Sequence, residues 1–197
     1  MTRVYIYYIR LLATNCFVSI GANMKRYLLI LFLLIVGISN APAQISLTEI
    51  EPEGYFDFWI GQWDLQWKAS DGTIERGTNK IEKILDGKVI KEHFEATVGE
   101  MDGYIGKSYS VYNEQTNQWK QTWVDNQGAY LDFVGKFEDN DRIFLRHSQD
   151  SSGTSIIQRM VFYDISQDQF SWRWEKSTDD GKSWHILWEI AYRRHGK

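Results

Sequence analysis

Phe56-Asp57-Phe58-Trp59-Ile60-Gly61-Gln62-Trp63-Asp64-Leu65-Gln66-Trp67 is the stretch whose reading decides the fold. It packs three tryptophans into nine residues, Trp59 to Trp67. Up to Ile60 the apolar residues follow no period. From Gly61 onward the period is two, with Trp63, Leu65 and Trp67 on one face and Gln62, Asp64 and Gln66 on the other. Such alternation marks a strand with one buried face. The stretch therefore reads as a short aromatic plug followed by the first strand of an antiparallel barrel.

The same signal repeats to the end of the chain. The first strand is expected over 62–69 and the second over 73–85, joined by the tight Asp71-Gly72 turn, whose residues supply the positive φ a hairpin needs. Asp86-Gly87 turns the chain into a third strand, 89–98. Further strands are expected over 107–112, 119–125, 129–137, 142–148, 155–163, 169–176 and 183–194, separated by polar or glycine-containing turns. No helical run interrupts them. Evenly spaced strands with short turns indicate an up-and-down barrel or a sandwich. The barrel is preferred because each strand can pair with the next and closure removes exposed edges. The expected fold is all-β: one lipocalin-like up-and-down antiparallel barrel of about ten strands.

Residues 1–43 read as something other than fold. Met24-Lys25-Arg26 precedes the apolar run Tyr27–Val36, and Ala41-Pro42-Ala43 supplies small residues for a signal peptidase. The run is shorter than the roughly 20 residues of a membrane span. We read 24–43 as a signal peptide cleaved near Ala43, 1–23 as an over-extended N-terminus, 44–55 as a lead and 56–197 as the barrel. The expected location is periplasmic or secreted, with no stable membrane span after processing.

The chain has 22 Lys+Arg and 26 Asp+Glu. Arg3, Arg10, Lys25 and Arg26 fall in 1–43, which holds no acidic residue, so the remainder has 18 basic and 26 acidic residues and a net charge of −8. That excludes a nucleic-acid partner, whose phosphates require a basic face. The single cysteine, Cys16, falls in the leader, which leaves no thiol chemistry and no disulfide. All nine tryptophans lie beyond residue 43.

Phe56–Asp64 resembles the start of a bacterial family of uncharacterised exported proteins with a lipocalin-like (calycin-type) barrel. The resemblance continues through Ile84-Leu85-Asp86-Gly87, Gly106-Lys107-Ser108 and Trp119-x-Gln121-x-Trp123-Val124-Asp125. It closes with Trp174-Glu175-x-Ser177-x-Asp179-x-Gly181-Lys182-x-Trp184 and Tyr192-Arg193-Arg194. Gly61-Gln62-Trp63 is similar to the G-x-W signature of lipocalins, in which the tryptophan packs across the closed end of the barrel. The resemblance implies a fold and no activity.

Function is sought in the inward faces. The first strand offers Trp67, the third Glu92 between Ile90 and Phe94, and the fifth Trp119, Gln121 and Trp123, with Asp125 near the rim. The ninth adds Trp172 and Trp174. The tenth aligns Trp184, Ile186, Trp188, Ile190 and Tyr192. The eighth carries bulk on both faces, so its orientation stays open; facing inward, Arg159 would pair with Glu92. An apolar interior with a few convergent polar groups is how small-molecule sites are built, and small barrels also fill with side chains.

Three readings stand side by side. The first is a carrier or sensor of a small apolar or aromatic molecule. The second is a hydrolase or isomerase using Glu92, and the third a solid interaction module of the cell envelope. His147, alternating with Ile143 and Leu145, is the one histidine weighed as an inward haem ligand, but no metal-ligand spacing accompanies it. No cofactor, metal or nucleophile motif is expected.

Overall fold

The computed structural model describes residues 50–197; the leader and the start of the lead lie outside them. Two 3-10 turns, Pro52–Gly54 and Asp57–Trp59, precede ten strands. These are β1 (Gly61–Lys68), β2 (Ile74–Ile84), β3 (Val89–Val98), β4 (Ile105–Asn113) and β5 (Gln118–Asp125). They continue as β6 (Tyr130–Glu138), β7 (Asp141–Gln149), β8 (Ser155–Tyr163), β9 (Gln169–Ser177) and β10 (His185–Arg194). Each pairs antiparallel with its successor, and β1 pairs with β10, so the sheet closes into an up-and-down barrel. Closure leaves no unpaired edge.

Phe56–Trp67 does what its pattern predicts. Phe56 is fully buried and stacks on Phe144, with ring centroids 4.5 Å apart. Trp59 and Trp63 are each 1% exposed, and Trp63 Nε1 donates to Trp59 O at 2.8 Å, tying plug to strand. Burying rings of this size contributes roughly 4–6 kcal/mol each. Arg194, at the end of β10, lies over the Trp63 ring at 3.9 Å and donates to Ile60 O at 2.6 Å. Gly61 has φ +136° and its missing Cβ leaves room for that guanidinium, so a side chain there would collide with it.

Arg142 is a second buried cation at this end. It donates to Tyr55 O (3.2 Å) and Asn140 O (2.7 Å), and burial pushes its pKa down to about 10. Lys83 and Asp57 close the same end from outside. The plug thus seals one mouth of the barrel. The opposite mouth, edged by the β3–β4 and β5–β6 turns, is where the cavity lies.

Two irregularities set what faces inward. The β3 register shifts opposite Arg76/Gly77, beyond Ala96, so Glu92 keeps its inward orientation. The β10 register shifts between Ile186 and Trp188. That bulge breaks the expected face of the tenth strand. Trp188, Ile190 and Tyr192 face the interior, whereas Ile186 is 51% exposed and Trp184 covers Arg159 on the outer wall. A bulge inserts one residue and reverses the alternation on one side of it.

Candidate functional site

The interior holds a cavity of about 250 Å³. Trp59, from the plug, and Phe162 form its floor. Trp123, Trp172, Trp174 and Trp188 supply most of its walls, with Phe94 and Phe133 between them. Trp172 and Trp188 meet edge to face at 5.7 Å, as do Phe94 and Trp188. Such contacts fix ring planes and leave flat apolar surfaces facing the void.

Gly106 makes this possible on one side. It sits on β4 beside Trp123, and an added Cβ would lie 1.9 Å from the Trp123 ring. The indole occupies the space a side chain would need. Strand β4 therefore turns its small residues, Gly106, Ser108 and Ser110, inward against the large ones of β5. Tyr109 and Val111 face out, 44% and 39% exposed.

Glu92 supplies the buried acid. The register sets it opposite Ser108 on β4 and Ile81 on β2. Ser108 Oγ donates to Oε2 at 2.5 Å, and Asn79 Nδ2 donates to Oε1 at 2.7 Å. Gln121 stands behind this pair and donates to Ser110 Oγ at 2.9 Å and Ser108 Oγ at 3.4 Å. Asn79 also reaches the Tyr192 hydroxyl at 3.4 Å. Among the described residues no cation joins the network. Burial drives the Glu92 pKa from 4.5 up to about 7, and the two donors offset only part of that rise. Burial also raises the Tyr192 phenol, so it stays a neutral hydroxyl, which accepts from Asn79.

At the rim, Asp125 accepts from Tyr104 Oη at 2.8 Å and Trp123 Nε1 at 3.1 Å, and from the backbone of Gln127 and Ala129 at 3.0 Å each. Burial works to raise its pKa, but these donors together hold it below the usual range. On the facing side Arg146 lines the cavity from β7 and donates to Gln158 Oε1 on β8 at 2.5 Å.

Six of the ten residues expected at the site line this cavity: Glu92, Trp123, Trp172, Trp174, Trp188 and Tyr192. The other four have other places. Trp67 is buried behind the wall, edge-on to Trp188, with Nε1 donating to Glu75 Oε2 at 2.6 Å. Trp119 belongs to the plug end: it donates to Pro52 O at 2.7 Å and packs on Phe56. Gln121 supports Ser108 and is not among the lining residues. Arg159 faces outward, because Gln158, Met160 and Phe162 are the lining residues of β8. It pairs with Glu175 at 2.6 Å, not with Glu92.

His147 is exposed on the outer face, since Arg142, Phe144 and Arg146 carry the inner face of β7; it offers nothing to a haem inside the barrel. Among the described residues no cluster of His, Cys, Asp or Glu could hold a metal ion. Asn79, Ser108, Arg146 and Gln158 were missed by the pattern. The small-residue alternation Gly106-x-Ser108-x-Ser110 was the available signal for Ser108.

No protein-family model matches the chain, and no curated protein does, so these comparisons assign it to no family. Among solved structures the chain is similar to a de novo designed fluorescence-activating β-barrel, at 14% identity. The match covers 72% of this chain and 97% of that one, with a TM-score of 0.39. The barrel assignment rests on this chain's own strand pairing.

Proposed function

We propose that the protein is an exported carrier or sensor of a compact, flat, apolar or aromatic molecule, held in the barrel interior. The observation that carries this reading is the tryptophan-walled void of about 250 Å³ with one buried carboxyl at its side. A solid barrel would have closed it with side chains. Its size lies just below the roughly 300–1,000 Å³ of sites for drug-sized ligands, which favours one or two fused rings over a long acyl chain. Trp123, Trp172, Trp174 and Trp188 provide stacking surface, while Glu92 and Tyr192 orient a polar edge. Export rests on the leader pattern of residues 24–43 and on the resemblance to an exported barrel family.

The test is a titration of the purified protein with small aromatic compounds, read by quenching of tryptophan fluorescence and by melting temperature. A carrier gives saturable quenching and a raised Tm, both lost in Trp123→Ala and retained in Glu92→Gln. No saturable quenching and no rise in Tm across the series would refute it.

A second reading, acid–base catalysis in the same cavity, is favoured by one observation: the Glu92 carboxyl is buried with no cation of the described residues beside it, and burial pushes its pKa up to about 7. That reading predicts turnover that collapses in Glu92→Gln while binding survives.

A further inference from the structure

We propose that the ligand is an aromatic carboxylic acid, with its carboxylate on Arg146 and its ring among the cavity tryptophans. This rests on the carrier reading and names its ligand class.

Charge bookkeeping across the barrel leads there. The other guanidinium groups that are buried or half-buried have partners: Arg159 and Arg173 both bind Glu175, at 2.6 and 2.7 Å. Arg142 and Arg194 lie against backbone carbonyls. Arg146 differs. It lines the cavity, and among the described residues its one hydrogen-bond partner is the neutral amide of Gln158, with neither a carboxylate nor a backbone carbonyl against it; a buried nitrogen without a hydrogen-bond partner, as at its Nε, it shares with Arg142 and Arg173. No carboxylate of the described residues pairs with it.

The acidic groups that share the cavity do not answer that charge. Asp125 is committed to Tyr104, Trp123 and two backbone amides. Glu92 is held by Asn79 and Ser108. An anionic ligand head supplies the missing partner through charge-assisted hydrogen bonds.

The seam between β6 and β7 explains how an unpaired cation is tolerated when the cavity is empty. Their ladder stops at Val134↔Leu145. Beyond it Phe133 and Arg146 border both the central cavity and a groove on the outer wall. Arg146 is accordingly only half-buried, and an incoming carboxylate would take the place of water on its open side.

The experiment uses matched probes: benzoate, phenylacetate and indole-3-acetate, each against its primary amide, titrated calorimetrically at about pH 6, where Glu92 is mostly neutral. The wild-type protein should bind each acid about tenfold or more tightly than its amide. Arg146→Gln should erase that preference, so that acid and amide of each pair bind alike, with a far-UV circular dichroism spectrum matching wild type reporting that the variant is folded. Arg146→Lys should restore part of it. Amides bound as well as acids, or an acid preference that persists in Arg146→Gln, would overturn this inference and leave the carrier reading standing. Binding of neither series would overturn both.

Discussion

Glu92 binds its proton more tightly in the folded protein, at about 7, than in the unfolded chain, at 4.5. Between those values the native state holds more protons than the unfolded state, so stability falls as pH rises. The contribution is fully present below about pH 4.5 and is lost as pH passes through about 7. At about 1.4 kcal/mol per pH unit, the whole contribution is on the order of 3 kcal/mol. The group is buried, so solvent screening does not discount it. The perturbation is Glu92→Gln, which keeps the shape and removes the titration. The assay is urea unfolding of both proteins between about pH 5 and 8, where most of this change falls. Asp71, Asp150 and Asp179 have lowered pKa values and act on the acid side of this window. They cancel, with the other common groups, in the difference between the two proteins. Wild type should lose about 2–3 kcal/mol relative to the variant across the range, or roughly 5–10 °C in Tm for a domain of this size. Parallel pH profiles would refute the argument, because Glu92 would then be hydrated or paired in solution.

Three further outcomes follow from the geometry. Trp63→Ala should lose about 3–5 kcal/mol in denaturant unfolding, with ligand preference unchanged, since Trp63 caps the core away from the cavity walls. Gly106→Ala should displace the Trp123 ring, whose atoms lie 1.9 Å from the added Cβ, and weaken ligand-induced fluorescence quenching at least tenfold. Arg159→Met should cost about 2 kcal/mol by leaving Glu175 with Arg173 alone, while ligand affinity stays as in wild type. Loss of binding in Arg159→Met would return that residue to the site.

The barrel was legible because hairpin turns and period-two runs are local signals. β3 and β8 fall on their expected bounds, and the other strands lie within two residues of theirs. The inner faces were harder. The usual rule sends bulk inward, yet β4 turns Tyr109 and Val111 outward and Gly106, Ser108 and Ser110 inward, because β5 already fills that volume with Trp119 and Trp123. On β7 the rule favoured Ile143 and Leu145, but Arg142 and Arg146 take the inner face. Nothing within that strand reveals it; the backbone carbonyls that hold Arg142 come partly from the plug, 87 residues earlier in the chain. The β10 bulge likewise hid the outward turn of Trp184 and Ile186. Pairing of inward groups depends on register between strands, which a run of residues on its own does not encode.

The central claim, that the tryptophan-walled interior is a binding site, is tested most directly by native mass spectrometry of the protein purified without denaturation from its own host. The account predicts a discrete small-molecule adduct that is released on unfolding, absorbs as an aromatic compound, and is absent from Gly106→Ala and Trp123→Ala. The bare polypeptide mass, joined by an unchanged melting temperature against every aromatic probe, would contradict it.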